Sequence, residues 1–68
     1  MRYAVVFEKS DANIGAYVPD LPGCVAVGTS LAETKLAISN AMQQHLEELK
    51  ADGKSPPVPG SVCAYIDA

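Results

Sequence analysis

The 68-residue chain has no tryptophan, one phenylalanine, one histidine and only five basic residues, Arg2, Lys9, Lys35, Lys50 and Lys54. Each shortage closes a class of function. Nucleic-acid binding draws its affinity from clustered Lys and Arg set against phosphate. Five scattered cations in a chain of net charge −3 make no such patch, so direct nucleic-acid recognition by this chain is not expected. The two cysteines, Cys24 and Cys63, have no metal-binding spacing and are too few for a disulfide framework. No apolar run reaches the roughly 18–20 residues of a membrane span. The opening Met1-Arg2-Tyr3-Ala4-Val5-Val6-Phe7 carries no cleavage-site pattern, so a cytoplasmic protein with reduced thiols is expected. Gly28 has no following lysine and cannot build a phosphate loop.

What the chain does have is apolar content, 49% of its residues. A chain of this length makes one small domain, residues 1–68, and buries only about 60% of its unfolded surface. Hydrophobicity beyond what so small a core absorbs points to surface shared with another subunit, in a dimer or a tetramer, the alternative being a well-filled monomer core.

The apolar residues fall into readable periods. Arg2 to Glu8 alternates, with Tyr3, Val5 and Phe7 on one face and Ala4 and Val6 on the other, and reads as a central strand. Lys9 to Asn13 is a polar turn. Ile14 to Val18 and Cys24 to Gly28 read as two further strands, and Ser61 to Asp67 as a last one, with Val62, Ala64 and Ile66 alternating against Cys63 and Tyr65. Between Ser30 and Ala51 the period becomes helical: Leu31, Ile38, Met42, His45 and Leu49 form a stripe edged by Ala41 and Leu46. Ser30-x-x-Glu33 is a capping box that opens this helix, and Gly53 supplies a left-handed exit. Leu36 lies opposite the stripe. Pro56, Pro57 and Pro59 make Lys54 to Gly60 a stiff extended connector. The order is β-β-β-α-β, an α+β domain whose first three strands form an antiparallel meander with one helix packed on one sheet face.

The most distinctive run is Tyr17-Val18-Pro19-Asp20-Leu21-Pro22-Gly23-Cys24. Pro19 and Pro22 fix φ and push Val18 and Leu21 toward extended geometry, while Gly23 allows a sharp reversal. This reading holds Leu21 exposed at the tip of a rigid loop, with Pro19, Pro22 and Gly23 as its scaffold.

These residues carry a family resemblance. The Tyr17–Cys24 run, the helix start from Gly28 to Glu33 and the exit Ala51-Asp52-Gly53-Lys54-Ser55-Pro56-Pro57-Val58-Pro59 are similar to the N-terminal domain of HicB antitoxins, in the same order and spacing, over nearly the whole chain. The resemblance implies a partial RNase H-like fold with sheet order 3-2-1-4, and a small toxin, HicA, as partner. In that order strands three and four are opposite edges, which sets Cys24 and Cys63 too far apart to bond. The family's C-terminal DNA-binding segment has no counterpart before Ala68, so repression of an operon by this chain alone is not expected.

Catalysis is not expected either. An RNase H-type site clusters carboxylates around metal ions, but no Asp or Glu interrupts Tyr3 to Phe7, and Glu33 is committed to the helix cap. His45 sits in the apolar stripe with no acid partner at helical spacing and reads as a packed, hydrogen-bonded side chain. Cys24 has no cationic neighbour to lower its pKa and reads as a small buried thiol. No catalytic residue, metal ligand or cofactor is assigned. The expected function is that of a non-catalytic antitoxin that covers the RNA-binding face of a small HicA-type, mRNA-cleaving toxin. Asp20, Leu21 and Leu36 are the expected contacts. The alternatives are an orphan self-assembling module with no toxin partner and, less favoured, a degenerate RNase H-like nuclease.

Overall fold

A computed structural model describes residues 1–68. Three strands, β1 (Val6–Lys9), β2 (Ile14–Tyr17) and β3 (Val25–Gly28), precede one helix, α1 (Leu31–Ala51). The strands form an antiparallel sheet in the order β1-β2-β3. The first reversal is closed by Ser10, whose amide donates to the Asn13 carbonyl at 2.9 Å and whose hydroxyl donates to the Asn13 side-chain oxygen at 2.8 Å. Side chains alternate between sheet faces, so the register separates two rows. Phe7, Ala16 and Ala26 are cross-strand partners on the helix side, whereas Val6, Tyr17 and Val25 are partners on the opposite face.

The helix covers β2 and β3 and leaves β1 outside its footprint. Ala16, Val18, Leu21, Cys24 and Ile38 make the buried core, and Tyr3, Val5, Phe7, Ala26, Ala41, Met42 and Leu46 pack around it. The expected helical stripe is therefore right from Ile38 onward but not at its start, because Leu31 is 46% exposed. The buried residue of the first turns is Thr34, with no exposed surface. Its hydroxyl lies within hydrogen-bond distance of the Ile14 carbonyl of β2 (3.2 Å) and the Ser30 carbonyl (2.8 Å), which satisfies the one polar group the helix buries against the sheet.

Both helix ends follow from local chemistry. Ser30 is the N-cap, accepting the Glu33 amide at 3.1 Å. The reciprocal half of the expected box is replaced: the Glu33 carboxylate accepts the Thr29 hydroxyl at 2.6 Å. At the other end Gly53 has φ +74°. Its amide donates to Lys50, and that of Lys54 donates to Leu49, a Schellman ending. Glu33 in the first turn and Lys50 in the last complement the helix dipole.

Beyond the helix the expected fourth strand is not formed. Residues 61 to 67 have no strand pairing, and the sheet ends at β1, so the expected order 3-2-1-4 is present only as 3-2-1. Strand status requires ladder hydrogen bonds, and no backbone group from Val62 onward bonds to another backbone group. The connector before it is anchored, however, because the Tyr3 hydroxyl donates to the Pro57 carbonyl.

Candidate functional site

The Tyr17–Cys24 run folds as two turns nested inside one closure. The Leu21 amide donates to the Val18 carbonyl at 3.1 Å, giving a turn with Pro19 at its second position. The Cys24 amide donates to the Leu21 carbonyl at 3.0 Å, giving a second turn with Pro22 and Gly23 at its centre. Gly23 has φ +83°, the left-handed value that a type II turn requires at that position. The Val18 amide bonds the Cys24 carbonyl at 3.3 Å and shuts the loop.

This geometry corrects the expected position of Leu21. The residue is 0% exposed, packed in the core with Val18, Cys24 and Ile38. Its amide and carbonyl are both satisfied within the loop, so the whole residue is buried without an unpaired backbone group. Burial leaves Leu21 no surface for a partner. Pro19, Pro22 and Gly23 are exposed.

Asp20 is also engaged within the chain. One carboxylate oxygen accepts the amides of Gly60 and Ser61, both at 3.0 Å, and the other accepts the Ser61 hydroxyl at 3.2 Å. The Ser61 amide, then the Gly60 amide, hold the Asp20 carboxyl below its ordinary pKa. Asp20 is thus a clamp between the loop and the end of the connector. Its folded pKa lies below its unfolded value, so the clamp's contribution is complete above about pH 4 and is lost as pH falls through the folded value. The Gly60 and Ser61 amide resonances are expected to shift together in that acidic window. Asp20→Asn is expected to abolish that titration and to speed hydrogen exchange of both amides at neutral pH. Unchanged exchange would remove the clamp.

The other expected positions divide. Leu36 is 66% exposed on the outer helix face. Cys24 is buried, and burial pushes its thiol pKa up, consistent with an inert side chain; Cys63 is exposed, and both are free. His45 is half-buried beside Gly23, Cys24 and Val25 but makes no hydrogen bond, so only the packed half of its expected role holds. No three His, Cys, Asp or Glu side chains come together as a metal site. No helix is long and apolar enough to cross a membrane.

Attention therefore shifts to the sheet face away from the helix. Val6, Tyr17 and Val25 run in register across all three strands, and Val27 stands opposite Gly15. Tyr17, Val25 and Val27 are 40%, 64% and 60% exposed. Exposed β-branched and aromatic side chains in a row on one open face form the kind of apolar surface that binds another protein. The sequence signal for it was the hydrophobic character of both faces of the strands.

Residues 3–68 match the model of the HicB-like antitoxin of bacterial toxin–antitoxin systems. The chain belongs to this family. A HicB-like domain of this kind is also similar to a 14.9 kDa protein of the rep-hol intergenic region of Haemophilus phage HP1 (strain HP1c1), 31% identical over 98% of this chain and 50% of the phage protein. A UPF0150 protein of Helicobacter pylori (strain J99) is 38% identical over 76% of this chain and 72% of that protein. The chain thus spans half the length of the phage relative. Among solved structures, a chain of the HicA3 and HicB3 toxin–antitoxin complex superposes with a TM-score of 0.73 at 27% identity, over 88% of this HicB-like chain and 70% of its own length. The meander followed by one helix is the architecture the two share.

Proposed function

We propose that this HicB-like domain is a non-catalytic antitoxin that neutralises a small HicA-type, mRNA-cleaving toxin by covering its RNA-binding face, in the cytoplasm. The observation that carries the reading is the similarity over 88% of the chain to a member of a HicA–HicB complex. Two features of the domain support it. The open sheet face offers Tyr17, Val25 and Val27 as an apolar centre, with Leu36 a further exposed position on the helix. The net charge of −3 suits a partner made basic by its need to hold RNA. The partial RNase H-like architecture belongs to the same proposal, as a binding platform without the carboxylate cluster of the enzymes. Asp20 and Leu21 contribute by fixing the loop.

A tagged chain recovered from its host is expected to bring down a stoichiometric small basic protein whose RNA cleavage is silenced at one-to-one ratio. Val25→Lys is expected to weaken that inhibition at least about tenfold, some 1.4 kcal/mol, with an unchanged melting temperature because the side chain is exposed. Absence of any silenced ribonuclease would overturn the proposal.

A further inference from the structure

The open sheet face is not flat. Its two rows run Glu8, Gly15, Val27 and Val6, Tyr17, Val25 across the three strands. Every position carries a side chain except Gly15, at the centre of the first row. The backbone does not require a glycine there, since only Gly23 and Gly53 have positive φ. Crowding does not require it either: a Cβ at Gly15 would meet one atom within 4 Å, the Ala26 carbonyl oxygen at 3.9 Å. A glycine in a strand interior weakens the strand and often marks a place where another molecule approaches closely. What it leaves here is a cleft of about 400 Å³ bordered by Glu8, Asn13, Tyr17 and Val25, with Gly15 and Ala26 beneath. Glu8 is the one charged member of the two rows. It is exposed, and its carboxylate takes part in none of the chain's hydrogen bonds. Lys9 also borders the cleft, but by parity it belongs to the helix-side row, opposite Ile14.

We propose that the cleft over Gly15 receives one arginine side chain from the RNA-binding face of the toxin, an inference that rests on the antitoxin reading above. Three parts of the cleft suit three parts of that side chain. Glu8 stands directly opposite Gly15. A planar guanidinium pairs with a free carboxylate through two parallel N–H donors, a fork that a lysine ammonium does not offer. Tyr17 follows on the same face and is diagonal to Glu8 in the register. Diagonal neighbours stand about 7–8 Å apart, room for one planar group between them. The Tyr17 ring supplies a π-face to the cation. Val25 and Val27 take the aliphatic stem, as apolar surface does for long cationic side chains. Charge selects this occupant over an apolar one. An apolar side chain would cover the same floor but strip water from the Glu8 carboxylate and leave it without a partner. A toxin arginine that grips phosphate presents the same fork that Glu8 accepts, so the cleft competes with RNA for one group. This gives the antitoxin a means of recognition as well as of covering.

The probe is the small basic ribonuclease recovered with the tagged chain, and the readout is its inhibition constant. Gly15→Val fills the cleft with a side chain that strands favour and that the open space admits. It is expected to keep or raise the melting temperature while weakening inhibition at least about tenfold. Glu8→Gln keeps the shape and removes the charge. It is expected to weaken inhibition about tenfold and to flatten its salt dependence. Glu47→Gln, on the exposed side of the helix, removes the same net charge and is expected to change inhibition less than about twofold. Glu8→Gln is then combined with single arginine-to-glutamine changes in the ribonuclease. One arginine is expected to depart from additivity by at least about fivefold. Inhibition left unchanged by Gly15→Val or by Glu8→Gln overturns the inference and leaves the antitoxin reading intact. Glu8→Gln neutral beside a damaging Gly15→Val would assign an apolar occupant. Additivity with every arginine overturns the inference as well. A wild-type chain that silences no ribonuclease overturns the antitoxin reading and this inference with it.

Discussion

Leu21→Ala is expected to unfold this domain, or to bring it close to unfolding, at room temperature. The residue has no exposed surface and sits where the Tyr17–Cys24 loop meets Ile38 of the helix. Truncating a buried leucine costs about 2–5 kcal/mol, combining lost transfer energy with the cavity left behind. A 68-residue chain has a total stability of roughly 3–10 kcal/mol at ordinary per-residue values. The substitution therefore removes a large fraction of what holds the fold. The site also has little means of collapsing onto the cavity. The loop is held by three backbone hydrogen bonds and stiffened by Pro19 and Pro22, so the surrounding chain cannot sink inward. A urea titration followed by far-ultraviolet circular dichroism should show the midpoint falling by half or more. Leu36→Ala is the matched control: its side chain is mostly in solvent, and the change should stay within about 0.5 kcal/mol. A loss at Leu21 no larger than at Leu36 would mean that the loop does not anchor the core.

The contrast between these leucines shows what the sequence could convey. The three strands and the helix were legible because their signals are local: alternation in β1 to β3, Ser30 at the helix start, Gly53 at its end. But β1 was expected over Arg2 to Glu8 at the centre of the sheet and instead runs only over Val6–Lys9 at its edge, because no fourth strand pairs beyond it. The stiffness of the loop was equally legible from its prolines. The direction of Leu21 was not. Two consecutive turns, one at Pro19 and one at Pro22, reverse the side chain into the core, and the sum of those reversals is a tertiary quantity. Thr34 was missed for a similar reason. A hydroxyl reads as a surface group until a carbonyl is found to meet it, and Ile14 lies 20 residues away. Leu31 was misplaced because a helical wheel has no end, whereas the sheet beneath the helix does. The residues from Ser61 to Asp67 show the limit from the other side. Their alternation reports a capacity to pair, but alternation does not make the ladder, and residues 61 to 67 form no strand hydrogen bonds although the outer edge of β1 is open. The site followed the same rule: Leu36 was found exposed as expected, while the row Val6, Tyr17 and Val25 emerges only once the register is known.

Gly28→Ala is the second large effect, and its cause differs from that of the loop glycine. Gly23 is required by its positive φ, whereas Gly28 has space as its constraint. A Cβ there would lie 2.6 Å from the Thr34 hydroxyl oxygen, 3.0 Å from the Thr34 amide nitrogen and 3.2 Å from Glu33 Cγ. The hydroxyl could rotate aside, but the amide is fixed by its 2.9 Å bond to the Ser30 carbonyl in the first turn of the helix. The added methyl must therefore lever the helix start away from β3. That movement stretches the Thr34–Ile14 contact and disturbs the Ser30 cap, on top of an overpacking cost of about 1–3 kcal/mol. A fall of 2–3 kcal/mol, about 30- to 150-fold in the unfolding constant, is the expected result in urea. Combining Gly28→Ala with Thr34→Ala separates the two contacts. Removing the hydroxyl relieves the 2.6 Å clash and leaves the 3.0 Å one, so the double variant should recover part of the loss, with a coupling energy above about 0.5 kcal/mol. Simple additivity would show that the helix start is not in contact with β3 at this point. Full recovery would place the constraint in the side chain alone, and the close backbone approach of strand and helix would have to be given up.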